Sequence, residues 1–245
     1  MADIISAKIA RCILYATGWS LFDESQKIQK RLGNGKYVMA ISHTSIWDAL
    51  VFLAYKYAHP EVFSNSLIVV KPQIYDAVPD WVKNVLDNVG FVKATKYEEK
   101  NGGFVKASTE MLKEKKKFLF LISPKGAREK YPWRSGYYNI AKEMGCDICT
   151  CGLDYEKKKI VVFDPLSVRN KSKEEIEPIL QKQMGSIVPL YPYCSEVDLR
   201  CHSPSNTSLL KVSFLLILLV LFLIFLFIYN KKILLFFVVI LLIFI

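Results

Sequence analysis

Tyr37-Val38-Met39-Ala40-Ile41-Ser42 runs without a break into His43-Thr44-Ser45-Ile46-Trp47-Asp48. The first six residues are mostly apolar and read as a buried β-strand. Ser45, with Asp48 three residues on, then reads as a helix start. Strand, short polar turn and helix in succession mark the edge of an α/β unit. The same alternation continues outward. Leu67–Val70, Phe118–Ile122, Cys149–Leu153 and Lys159–Phe163 read as strands. Ala49–Tyr57, Trp81–Asn88, Phe104–Lys115 and Gly136–Met144 read as helices, and Ser172 with Glu175 begins a last one ending near Met184. The pattern predicts an α/β fold: a mostly parallel sheet flanked by helices.

Four residues separate His43 from Asp48. Within one helix that spacing would set them about 140° apart, on different faces. They meet only if His43 lies in the turn and Asp48 in the first helical turn. In that arrangement the carboxylate fixes the imidazole tautomer, and His43 takes a proton from a hydroxyl. A plainer arrangement also fits the spacing, with Asp48 as a capping partner and His43 as a histidine at a strand end.

Charge and hydropathy divide the chain of 245 residues unevenly. All 23 acids lie before residue 209, whereas the last 37 residues carry only Lys211, Lys231 and Lys232. Val212–Tyr229 is free of charge and as a helix reaches about 27 Å, close to the thickness of a bilayer core. Ile233–Ile245 reaches only about 20 Å, so the tail forms one span with a membrane-lying segment, or a hairpin. Four regions follow: an amphipathic N-terminal helix over 1–22, an α/β domain over 23–185, a linker over 186–208 and a membrane anchor over 209–245. In the first of them Ile5, Ile9, Ile13 and Ala16 recur at helical spacing and Gly18 stops the helix. Such a helix lies on the bilayer or packs on the domain.

No secretory signal is evident, so the domain is expected on the cytoplasmic face of an intracellular membrane, of endoplasmic reticulum type. Six cysteines in a reducing compartment read as free thiols rather than disulfides. A zinc site drawn from Cys146, Cys149, Cys151, Cys194, Cys201 and His202 lacks a second paired-cysteine element. The base excess suits anionic lipid or phosphorylated substrates; no nucleic-acid motif accompanies it.

His43 and Asp48 after an apolar strand resemble the first motif of the glycerophospholipid acyltransferases, the family that contains lysophosphatidic acid acyltransferases. Ser123-Pro124-Lys125-Gly126-Ala127-Arg128 is similar to that family's phosphate-binding motif, usually Pro-Glu-Gly-Thr-Arg, and also follows a strand. The next stretch, Trp133-Arg134-Ser135-Gly136-Tyr137-Tyr138, resembles a bacterial-type branch. Asn88-Val89-Gly90-Phe91-Val92, with Lys93 and Lys96, stands where the second motif would be. The resemblance covers roughly residues 18–165. Lys125 and Ala127 depart from the family's acid and threonine, and Asp147-Ile148 from the proline of its fourth motif.

What the resemblance implies is acyl transfer from a thioester, acyl-CoA or acyl carrier protein, to the hydroxyl of a glycerol phosphate or lysophospholipid. His43 and Asp48 would be catalytic. Arg128, Gly126, Lys125, Lys96 and Lys71 would bind the substrate phosphate. Neither cofactor nor metal is implied; the partners are membrane lipids, acyl-CoA and the acceptor, not nucleic acid. The departures in the third motif leave a second reading open, a lipid-binding or scaffold membrane protein that no longer catalyses.

Overall fold

The computed structural model describes residues 2–22, 32–45, 47–94, 103–126 and 132–191. In chain order the elements are α1 (Ala2–Ala16), β1 (Ser20–Phe22), β2 (Lys36–Ile41), α2 (Trp47–Ala58), α3 (Pro60–Phe63), β3 (Ser66–Val70), α4 (Pro72–Ala77), α5 (Asp80–Val89), β4 (Phe91–Lys93), α6 (Gly103–Lys113), β5 (Phe118–Ile122), α7 (Gly136–Met144), β6 (Asp147–Asp154), β7 (Lys159–Val162) and α8 (Lys173–Gly185). The strands form one sheet in the order β1-β7-β6-β2-β5-β3-β4.

Five successive apolar residues, Phe118 to Ile122, suit only a strand covered on both faces. β5 is accordingly central and buried along its whole length. It pairs in parallel with β2 on one side and β3 on the other, and β2 pairs in parallel with β6. Alternation along these strands sorts side chains into two layers. Tyr37, Met39, Leu119, Leu121, Cys149 and Cys151 face the layer that holds Ala10, Ile13 and Leu14 of α1 and Val51, Phe52 and Tyr55 of α2. Val38, Ala40, Phe118, Phe120 and Ile148 face the layer of Leu112, Tyr137, Ile140, Ile176 and Leu180, from α6, α7 and α8. The sheet is mostly parallel and flanked by helices, as the sequence predicts. A turn at residues 155–158 then sends β7 back antiparallel to β6, and β1 joins the far edge alongside β7.

The N-terminal helix ends at Ala16, and Gly18 at φ +78° turns the chain into β1, the stop that the sequence reading gave to that glycine. Arg11 Nε donates to Ala58 O at 2.6 Å, tying α1 to the end of α2. At the other end, the stretch read as a linker from 186 starts inside the domain. Ile187 and Leu190 are buried there, and Tyr155 N donates to Val188 O at 2.9 Å. Paired backbone and buried apolar side chains, rather than the prolines nearby, set where the domain stops. Among the described residues no helix is long and apolar enough to cross a membrane. The tail 209–245 lies outside them.

Candidate active site

In an open parallel sheet, ligands bind beyond the carboxyl ends of the strands, where successive connections leave toward opposite faces. β2 and β5 are neighbours that meet this condition. β2 exits into α2, which packs on one layer, whereas β5 exits toward α7 on the other. By that rule the place for a ligand is the crevice between their carboxyl ends. His43-Thr44-Ser45 flanks it from β2, and Ser123-Pro124-Lys125-Gly126 from β5.

His43 and Asp48 meet there. His43 Nδ1 lies 3.5 Å from Asp48 Oδ2, with the imidazole 36% exposed and the carboxylate 10%. The separation is ion-pair range and longer than a tight hydrogen bond. Asp48 Oδ2 also accepts from Thr44 N at 2.7 Å and Ser45 N at 2.8 Å, while Ser45 Oγ accepts from Trp47 N at 3.0 Å. The capping arrangement and the His–Asp arrangement are thus one structure. The carboxylate that ties down the helix start is the carboxylate that faces the imidazole.

A third donor comes from a residue that sequence reasoning missed. Tyr155, just past β6, donates its hydroxyl to Asp48 Oδ1 at 2.8 Å across 107 positions of chain. Burial, and then the adjacent Asp48 charge, push the Tyr155 hydroxyl far above its ordinary range, so it stays a donor. Both carboxylate oxygens are held, and the carboxylate cannot rotate away from the ring. Asp48 faces Nδ1 and leaves Nε2 on the far side of the ring.

The β5 side contributes a turn in which Gly126 N donates to Ser123 O at 3.0 Å, with Gly126 at φ +62°. A side chain at residue 126 would be strained in that left-handed conformation. Lys125 is 2% exposed and has a partner within the chain. Ser123 Oγ is buried with no hydrogen-bond partner among the described residues. Sequence reading gave that serine no part beyond opening the motif. Lys71 sits exposed at the carboxyl end of β3, on the same rim of the sheet. Arg128 and Lys96 lie outside the described residues.

Cys146, Cys149 and Cys151 are free and buried. Among the described residues no group of three metal-ligating side chains is placed to hold an ion. Cys194, Cys201 and His202 lie outside them. Burial raises the three thiols, Cys146 to about 11, Cys151 to about 12 and Cys149 well above its usual value. Burial also lowers Lys56 to about 8. Unfolded thiols ionise from about pH 8.5 upward while the folded ones keep their protons, so stability falls with rising pH. Lys56 acts in the opposite sense, since between about pH 8 and 10.5 the unfolded chain holds a proton that the folded chain has lost. The two effects nearly cancel at pH 8, and stability is expected to fall by about 1 kcal/mol from pH 8 to 9. Above that it falls by about 3 kcal/mol per pH unit, the net effect of two protons. Denaturant titrations under reducing conditions at pH 8, 9 and 10 check this; a flat profile above pH 9 would contradict it.

The fold is similar to the crystal structure of the 1-acyl-sn-glycerophosphate (LPA) acyltransferase PlsC from Thermotoga maritima. The two share 13% sequence identity with a TM-score of 0.48, over 74% of this chain and 76% of that one. No family model matches the sequence, and no curated protein matches it.

Proposed function

We propose that this protein is a membrane-bound O-acyltransferase. It moves an acyl chain from a thioester, acyl-CoA or acyl carrier protein, to the hydroxyl of a glycerol phosphate or lysophospholipid. The observation that carries this reading is the His43–Asp48 pair at the mouth of the crevice, its carboxylate held by three donors. The motifs that resemble those of glycerophospholipid acyltransferases support it.

The acceptor hydroxyl gives its proton to His43 Nε2 as its oxygen attacks the thioester carbonyl. The tetrahedral intermediate collapses with loss of the thiolate, which takes the proton back from the imidazolium. The products are an ester and a free thiol, and the base ends as it began. Asp48 stabilises the imidazolium formed in between. The sequence contains no Gly-x-Ser-x-Gly nucleophile elbow, and the attack is direct. Arg128 grips the acceptor phosphate through two parallel hydrogen bonds, aided by Lys96 and Lys71, while Gly126 lets the backbone come close. Lys125 adds a second cation beneath the phosphate. The tail over 209–245 holds the crevice at the surface of an intracellular membrane, cytoplasmic side, where acceptor and product reside.

Full-length protein in membranes, supplied with radiolabelled acyl-CoA and a panel of glycerol 3-phosphate and lysophospholipids, tests the proposal. Labelled ester is expected with at least one acceptor. No product with any of them, alongside measurable lipid binding, would favour the scaffold reading that Lys125 and Ala127 leave open.

A further inference from the structure

A second cleft lies at the opposite end of the sheet. It has a volume of about 400 Å³ and is lined by Ser64, Asn65, Ser66, Asn88, Gly90 and four lysines, Lys56, Lys115, Lys116 and Lys117. Apart from Lys56, in the last turn of α2, these residues precede or begin β3, β4 and β5, whose other ends meet the rim that carries His43. A five-residue strand spans about 17 Å, so a small molecule in this cleft does not reach the imidazole.

Chemistry at this cleft runs one way. Its lining includes no acid. Lys115, Lys116 and Lys117 make no ion pair among the described residues, whereas Lys83, Lys93, Lys113 and Lys173 each pair with a carboxylate. Lys56 is fixed in the wall, where its ammonium donates to Phe63 O at 3.1 Å, Ser66 O at 3.2 Å and Ser66 Oγ at 2.5 Å. Gly90, at φ +92°, lets the chain pass so close that a Cβ there would stand 2.5 Å from Ser66 O. The wall is therefore built from backbone in contact and one anchored cation, and the three consecutive lysines complete the lining. Four like charges around one concavity repel one another unless an anion sits among them.

We propose that this cleft binds a compact polyphosphate or phosphomonoester group, at a site separate from the acyl-transfer crevice. Its size suits a small phosphorylated molecule or a lipid phosphate head group. Asn65 and Asn88 supply amide donors alongside the lysines.

Amine-reactive footprinting of the full-length protein in neutral detergent tests this without recourse to activity. Tripolyphosphate is expected to protect Lys115, Lys116 and Lys117 from labelling, and sodium sulfate at matched ionic strength is expected not to. Replacing all three lysines by glutamine is expected to weaken tripolyphosphate binding, measured by calorimetry, by about tenfold or more. The Lys56→Met variant serves as a second probe, removing the wall cation while the exposed three remain. Protein in phosphatidylcholine vesicles with or without phosphatidic acid identifies the source. Protection by phosphatidic acid assigns a lipid head group; protection by tripolyphosphate alone assigns a soluble ligand. Equal protection by sulfate, or unchanged binding in the glutamine variant, would overturn the proposal. Since neither readout involves acyl transfer, the site stands or falls apart from the proposed activity.

Discussion

Replacing His43 by alanine is expected to lower the acyl-transfer rate by about 10²–10⁴-fold, the usual contribution of a positioned general base. A hydroxyl is a weak nucleophile while it keeps its proton, and the base has to act as the carbon–oxygen bond forms. The fold should tolerate the change. His43 is partly exposed, and among the described residues its ion-pair contact is with Asp48, which keeps three other donors. A loss of stability within about 0.5 kcal/mol is expected, as for a surface substitution. Initial rates at saturating donor, beside a denaturation curve, separate the two effects. Near-wild-type turnover by His43→Ala would remove the histidine from the mechanism.

The second large effect is expected at Asp48, and there stability and activity fall together. Alanine would leave Thr44 N–H, Ser45 N–H and the Tyr155 hydroxyl without their acceptor in a buried setting. An orphaned buried donor costs about 1–3 kcal/mol, so a loss of about 3–5 kcal/mol is expected, enough to unfold a marginal domain. Asp48→Asn keeps an amide of the same shape and one acceptor oxygen. It should remain folded with a reduced kcat and a KM changed little, because the imidazolium loses its countercharge while substrate contacts persist. An Asp48→Asn protein with unchanged kcat would reduce the carboxylate to a helix cap.

Much of this architecture was legible in the sequence because β5 and β2 are apolar on both faces and leave little choice of setting. The His43-to-Asp48 spacing was legible for a similar reason: it excludes a continuous helix and forces a turn. Short elements were not. β1 and β4 are three residues each, too few for alternation to register, and α3 and α4 begin at prolines without a periodic face. Tyr155 escaped notice because its partner lies 107 residues away and a tyrosine after a strand carries no local signal. Its role comes from β6 lying beside β2, a pairing that alternation does not specify. The burial of Lys125 was illegible too, since a lysine in a polar loop reads as solvated until a turn folds it inward.

The extent of the domain follows the same logic. Prolines at 189 and 192 suggest a linker, yet Ile187 and Leu190 reach back onto the sheet, and the backbone at Val188 accepts from Tyr155. The residue that locks Asp48 is thus itself held by the segment just after α8. Changes in that segment are positioned to reach the candidate site through Tyr155.

Direct attack by a hydroxyl activated at His43 is the centre of this account, and one rapid-mixing experiment addresses it. Full-length protein is mixed at stoichiometric concentration with radiolabelled acyl-CoA, thiol release is followed, and the acceptor is added afterwards. The expected result is no thiol release and no label on the protein before the acceptor arrives, then release of one thiol for each labelled lipid formed. Thiol release with label retained on the protein before any acceptor is present, or no release after it is added, would contradict the account.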